Sequence, residues 1–307
     1  MMKELMKCIR EYKKPSILAP VLVSLEVVME CTIPFLIAML VNQIKAGAEF
    51  SVLVKYGLLL IVMATLSLMF GIGAGNACAT ASCGFAKNVR KDLYAKIQEF
   101  SFENIDKFSS SSLVTRLTTD VTNVQNAYMM IVRIAVRCPL MFLFAFVMAF
   151  IMGGKMACIF LLVVPVLGFG LYMVIRTAMP LFRKVFHKYD ELNNSIQENI
   201  KGMRVVKSYV REDFEKEKFD RAAGDVCEDF TKAEKILAWN NPLMQFSLYT
   251  VMIFVLTVGS YVIITTKGLD LDVGQFSALL TYSFQILSSL MTVSYTHLRA
   301  HETRSNL

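Results

Sequence analysis

This sequence is poor in charge. Only 19% of its 307 residues are Asp, Glu, Lys or Arg, while 55% are hydrophobic. A soluble chain of this length can bury a core, but it needs a more charged surface than this, so the composition is that of a membrane protein. Histidine is scarce too: of three, His297 and His301 fall in the last eleven residues. The seven cysteines (Cys8, Cys31, Cys78, Cys83, Cys138, Cys158 and Cys227) are scattered and form no CxxC pair. That argues against a metal site and leaves them as small apolar residues in or near membrane helices. A cleavable signal peptide is not expected, because the charged start runs into a long apolar stretch without a small-residue cleavage site.

A nucleotide site is missing as well. A P-loop requires GxxxxGK[ST], whose backbone amides cradle phosphates while the Lys reaches them. The single Gly-Lys pair, Gly154–Lys155, is followed by Met156, and Ala149 stands at the first-Gly position. No Gly-Gly-Gln signature appears either. The chain by itself is therefore expected not to be an ATPase and to hold no cofactor.

What is present is apolar helix. A hydrocarbon core of roughly 30 Å needs about 20 apolar residues per crossing. Six stretches qualify: 16–41, 52–80, 134–153, 156–175, 243–265 and 273–292, the last rich in Ser, Thr and Gln. Pro34, Pro139 and Pro165 lie in or at the ends of spans, which bundles tolerate. Gly71, Gly73 and Gly75 would let the second span approach a neighbour closely. The connections are very unequal. Three are short, and two run to about fifty and nearly seventy residues. The net charge of +7 could suggest nucleic acid, but the basic residues follow topology instead. Twenty-six Lys and Arg lie before span one or in the long connections (Arg133 and Arg137 included), against Lys45, Lys55, Lys155 and Lys267 on the short-loop side. The positive-inside rule puts the N-terminus and both long connections in the cytoplasm. No nucleic-acid partner is expected.

Both long connections are poor in Gly and Pro and keep helical periodicity. Each reads as a hairpin of one helix leaving the membrane and one returning, since some 25 helical residues span about 37 Å. The first goes out along 84–102, turns at NIDKFSSSS (104–112), where serines can cap the next helix, and returns along 112–128. The second goes out along 181–200, breaks near Gly202, passes GMRVVKSYVRED and returns along 215–237. In the stretch SSLVTRLTTDVTNV, Leu113, Leu117, Val121 and Val124 form one apolar stripe, which is expected to pack on other stalk helices rather than on lipid. Residues 1–14, with Leu5, Cys8, Ile9 and Tyr12 on one side and lysines elsewhere, read as an interfacial elbow helix.

Six spans, two helical hairpins and a basic pre-helix resemble the transmembrane domain of ABC (ATP-binding cassette) exporters. FSFENIDKFSSSSLVTRLTTDVTNVQ is similar to that family's first intracellular loop, with Phe108 in the turn, then Leu113, Arg116, Leu117 and Asp120-Val121. ENIKGMRVVKSYVREDFEKEKF is similar to the second, through Glu198, Gly202, Val205, Val206, Lys207, Glu212 and Phe219. RIAVRCPLMF resembles the start of span three in bacterial multidrug-type members, often those that pair as heterodimers. One departure is Ser110–Ser112, where many members carry Gly before an acidic residue.

The resemblance implies an all-α fold of six transmembrane helices (15–292) and hairpin tips that act as coupling helices on nucleotide-binding domains. By that analogy the contact residues are Asp106, Lys107, Phe108, Ser109 and Ser112 in the first tip. In the second they are Gly202, Met203, Arg204, Lys207, Ser208, Tyr209 and Arg211. ATP and Mg would sit on the nucleotide-binding domain. The partners implied are the lipid bilayer, nucleotide-binding domains and a second transmembrane half, a heterodimer being favoured, in a bacterial plasma membrane. Substrates would be hydrophobic or amphipathic compounds such as drugs, lipids or peptides. Two other classes remain open: a scaffold or sensor without an ATPase, and a secondary transporter, although no inverted repeat is visible. Apolar sequence stops at Thr292. Residues 293–303 back-translate to a transposase-type sequencing adapter, so 293–307 reads as adapter read-through, with the natural chain continuing into span six and beyond.

Candidate substrate contacts lie within the spans. Glu26 and Glu30 are one turn apart in span one, and acids at membrane depth face a cavity or a partner. They would attract cationic amphiphiles, take part in gating, or pair with another helix. In span six Thr281, Tyr282, Gln285, Ser288 and Ser289 form a polar face that lines the cavity or bonds a neighbouring helix. The Phe/Met-rich stretch 139–152 reads as lipid-facing, and Arg133 and Arg137 as residues of the cytoplasmic interface.

Overall fold

In the computed structural model the described residues are 7–101 and 110–305, with side chains described except at position 110 and from 293 onward. They form eight α-helices and no strand. A 3-10 turn at Arg10–Tyr12 leads directly into α1, Lys13–Lys45. There follow α2 (Phe50–Gln98), α3 (Ser110–Thr115), a π-helical turn at Arg116–Asp120, and α4 (Val121–Gly153). A 3-10 turn at Gly154–Ala157 separates α4 from α5 (Cys158–Ser208). The last three are α6 (Glu212–Leu237), α7 (Asn240–Thr266) and α8 (Val273–Ser305).

Among the described residues, four continuous helical stretches are long and apolar enough to cross a membrane: Arg10–Lys45, Phe50–Gln98, Ser111–Ser208 and Glu212–Thr266. The third holds both α4 and α5, divided at Gly154, whose φ of +48° a side chain would resist. The stretch 273–292 is helical as well. The chain is an integral membrane protein. Only 6% of the most apolar window of Phe50–Gln98 is buried. Leu58, Ile61, Val62, Leu68, Met69 and Ile72 are exposed along it, a surface suited to lipid.

The helices divide into two compact units, Met1–Leu162 with Leu248–Ser305, and Val163–Ser247. In the first, α1 touches α2, α4 and α8, and α4 touches α2 and α8. Small residues set the spacing. Gly71 lies against Glu26, Gly73 against Leu22 and Gly84 against the Tyr12 ring, so α1 and α2 run antiparallel. Cys31 meets Met141 and Ser16 meets Tyr128, so α1 and α4 run parallel. Tyr282 meets Cys31, and Gly274 touches Ala38 and Asn42, so α1 and α8 run antiparallel. These directions agree with the alternation of spans read from the sequence.

In the second unit α5 and α6 form a hairpin. Ala178, Phe182 and Ala233 make its buried core, with Leu181, Phe186, Ile236 and Leu237 around them. The break expected near Gly202 does not occur there. Helix α5 runs through Gly202 and stops at Ser208. One Gly inside a helix costs only about 1 kcal/mol, which the surrounding turns offset. The stop is a left-handed residue eight positions later. Val210 has φ +51°, and Arg211 N–H reaches back to the Val206 carbonyl at 3.0 Å, the pattern of a Schellman cap.

Candidate functional site

Two places bring together residues singled out in the sequence: the middle of the α1–α4–α8 bundle and the tip of the α5–α6 hairpin.

In the bundle, the four-residue spacing of Glu26 and Glu30 puts both carboxylates on one face of α1. Arg137 of α4 reaches that face. One guanidinium nitrogen lies 2.5 Å from Glu26 Oε1, and the other lies 2.8 and 2.7 Å from the two oxygens of Glu30. Glu26 is 8% exposed, and Glu30 and Arg137 are half-buried. Gly71 on α2 makes the room: a methyl group there would stand 3.2 Å from Glu26 Oε1. Arg137 thus serves as an interhelix ion-pair partner. The pairing depends on how α1 and α4 register, which neither helix encodes alone. Two carboxylates share one guanidinium, and Glu26 Oε2 is buried with no hydrogen-bond donor.

Helix α8 closes the third side. Tyr282 is fully buried and donates its hydroxyl to the Cys31 carbonyl at 2.7 Å, a helix-to-helix bond. Ser289 is buried and donates to Ile286 of its own helix at 2.8 Å. Gln285 is half-buried, and its Oε1 is buried without a donor.

At the hairpin tip Met203, Val205, Tyr209 and Val210 are exposed apolar residues, the last two 75% and 82% exposed. Arg204, Lys207, Ser208 and Arg211 are exposed among them, with Gly202 half-buried and the Arg211 guanidinium 5.7 Å from the centre of the Phe214 ring. The tip is therefore a basic, apolar knob. Of the first-tip residues, Asp106, Lys107, Phe108 and Ser109 lie outside the described residues, and Ser112 is half-buried in α3.

The hairpin shafts carry contacts that sequence reading missed. Asp229 on α6 is buried between α5 lysines: its carboxylate lies 2.8 Å from Lys188 and 3.1 Å from Lys184. These lysines hold the Asp229 carboxyl below the usual aspartate range, and Asp229 in turn raises Lys188. Lys184 and Lys188, one turn apart, were the available signal. In the first unit Arg90 donates to the Leu117 carbonyl at 3.2 Å and to the Thr122 hydroxyl at 3.1 Å, bracing the π turn. Two residues of the Ser111–Val124 stripe pack on helix: Val121 is buried with Phe85, Ala86 and Val89 of α2, and Val124 lies against them.

Residues 16–290 match the sequence profile of the ABC transporter transmembrane region. Among curated proteins the chain is similar to the uncharacterized ABC transporter ATP-binding protein YfiB of Bacillus subtilis. The two are 29% identical over 289 residues, covering 94% of this chain and 50% of that protein. It is similar to the uncharacterized ABC transporter ATP-binding protein Rv1273c of Mycobacterium tuberculosis, at 25% identity over 94% of this chain and 49% of the relative. The ATP-dependent lipid A-core flippase of Aromatoleum aromaticum is 25% identical over 73% of this chain and 36% of its own length. The chain spans about half the length of the first two relatives.

Proposed function

Because the chain belongs to the ABC transporter transmembrane region family, we propose that it is the membrane-crossing part of an ATP-driven exporter. Its substrates are hydrophobic or amphipathic compounds, moved out of the cytoplasm by alternating access. The observation that carries this reading is the exposed basic, apolar tip of α5–α6. Exposed apolar side chains on a helical hairpin outside the apolar spans call for a protein partner. The relatives' names supply its class, an ATP-binding unit. Gly202, Met203, Arg204, Lys207, Ser208, Tyr209 and Arg211 are the docking residues on this side, and Asp106–Ser112 on the other hairpin.

ATP and Mg do not fit this chain. Its one Gly-Lys pair lies in the 3-10 turn between two apolar helices, with no fan of amides opening a helix after a strand. In this reading ATP and Mg belong to a nucleotide-binding domain, as the family resemblance implies. A second transmembrane half completes the cavity, and a heterodimer is favoured by the span-three resemblance. What this chain supplies is a set of packed helices that switch as rigid bodies, rooted in stalks that transmit the motion. The location is a bacterial plasma membrane, with the N-terminus and both hairpins cytoplasmic.

The test is uptake of a lipophilic dye into inside-out vesicles carrying the full-length gene product. ATP-dependent, vanadate-sensitive uptake that falls at least tenfold with Tyr209→Ala plus Val210→Ser is expected. Uptake driven by a proton or sodium gradient and indifferent to vanadate would replace this reading with a secondary transporter.

A further inference from the structure

We propose that the cleft between α2 and the π turn of the first hairpin binds the phosphate group of a small soluble molecule, with Arg90, Thr119 and Asn123 as its donors. The cleft measures about 380 Å³ and is lined by Arg90, Thr118, Thr119, Thr122 and Asn123. That volume lies at the low end of the range that ligand pockets occupy. Every wall residue is polar, and the one charge among them is positive. The wall on the returning arm is irregular. Val121 N–H reaches back five residues to the Arg116 carbonyl, a π turn of the kind that gathers at functional sites.

The bonds already made show which donors are left. Arg90 spends Nε on the Leu117 carbonyl and one Nη2 proton on the Thr122 hydroxyl. These bonds fix the guanidinium against the turn and leave the two protons of Nη1 and one of Nη2 unspent. Among the described residues no carboxylate pairs with Arg90. Asp92, two residues along α2, is bonded to Arg10, while Lys87 and Lys91 are exposed on either side of Arg90. Thr118 and Thr122 donate their hydroxyls to the Val114 and Thr118 carbonyls, at 2.8 Å each. Thr119 and Asn123, one turn apart on the same wall, have no partner among the described residues. A guanidinium fork, a hydroxyl and an amide therefore line one cleft with donors to spare.

That set selects the ligand. An amine would meet Arg90 as a like charge. A carboxylate or a phosphate can occupy the fork with two oxygens. The carboxylate then has no further oxygen, whereas a terminal phosphate has a third for the hydroxyl and the amide. Height along the helices decides the source. Arg90 lies ten residues past the apolar run 52–80, and Thr122 twelve before the run that starts at 134. At 1.5 Å per residue these are about 15 and 18 Å. The headgroup layer adds only about 5–8 Å on each side of the hydrocarbon. The cleft therefore opens beyond the headgroups, to soluble molecules rather than lipid. A phosphate held there ties α2 to the returning arm and braces the base of the first hairpin.

This binding does not rest on the export reading, and the experiment measures it alone. The chain is held in dodecyl maltoside micelles, which contain no phosphate, and titrated calorimetrically with pyrophosphate at fixed ionic strength. Signals from protein-free micelles are subtracted. One site per chain is expected. Thr119→Val and Asn123→Leu remove groups that bond nothing in the fold, so both variants keep it. Each should weaken pyrophosphate about tenfold, the scale of one hydrogen bond to a charged group. Arg90→Lys keeps the charge but loses the fork, and should weaken it at least as much. A second arm titrates dioctanoyl phosphatidic acid into the same micelles. No binding of pyrophosphate, or binding indifferent to both Thr119→Val and Asn123→Leu, would overturn the inference. Phosphatidic acid that binds where pyrophosphate does not would overturn the assignment to a soluble molecule and give the site to lipid headgroups.

Discussion

Arg137 on α4 and Glu30 on α1 meet side-on, one guanidinium nitrogen lying 2.8 and 2.7 Å from the two carboxylate oxygens. With Glu26 on the next turn, this arginine fastens two parallel helices that small and apolar residues otherwise hold. Arg137→Gln leaves two carboxylates facing each other. Removing one partner of a fully buried pair costs about 3–5 kcal/mol and of an exposed pair about 0–1. The half-buried geometry here sets an expected loss of about 2 kcal/mol. A thermal-unfolding midpoint lowered by several degrees in detergent checks it. Replacing all three at once (Arg137→Met, Glu26→Gln, Glu30→Gln) should recover most of that loss, because no charge is then left unpaired.

Gly274 is expected to be intolerant of any side chain. Its N–H donates to Asn42 Oδ1 at 3.0 Å, and a Cβ would collide with the Ala38 carbonyl of α1. The obstacle is backbone, which cannot rotate away. Gly274→Ala should cost about 1–3 kcal/mol as overpacking. Gly57→Ala, where a methyl meets nothing, should be neutral or slightly stabilising. Comparing the two midpoints separates contact from helix propensity.

The Asp229 cluster predicts acid sensitivity of the second hairpin. Its folded pKa is depressed by Lys188 and Lys184 below the ordinary 3.8. The contribution is therefore complete above that value and is lost as pH falls through the lower, folded one. Protease resistance of α5–α6 should hold at pH 6 and decline below about pH 4. Lys188, whose pKa is raised above 10.5, adds the mirror effect: its contribution is lost as pH climbs past that value. Asp229→Asn should remove both slopes. Slopes unchanged in that variant would assign them to other groups.

Sequence periodicity was enough to read the helices and the acid pair on α1, because a 3.6-residue repeat acts within one helix, while the directions of α1, α2, α4 and α8 follow the alternation of spans. Partners were harder. Nothing in RIAVRCPLMF says that Arg137, rather than Arg133, faces α1; that follows from the parallel register fixed by Cys31–Met141 and Ser16–Tyr128. The polar face read on span six divides on the same ground, Tyr282 being spent on the Cys31 carbonyl while Gln285 keeps an unmet acceptor. The hairpin turn was misplaced because Gly202 is the conventional breaker, whereas the chain turns at Val210, a β-branched residue that disfavours positive φ.

The left-handed Val210 can be tested directly. A non-Gly residue in the left-handed region costs about 1–2 kcal/mol. Glycine removes this cost but adds about 0.5–1 kcal/mol of unfolded-chain entropy. Val210→Gly should therefore stabilise the hairpin modestly, by up to about 1 kcal/mol, seen as slower amide exchange in residues 203–212. Val210 is also exposed at the tip proposed to dock a nucleotide-binding domain, and glycine removes that contact. The expected outcome is a hairpin that is more stable and a transporter that couples less well. Parallel loss of both would mean that Val210 serves the fold alone; a gain in stability with unchanged vanadate-sensitive transport would place the docking contact on Tyr209 and Met203 instead.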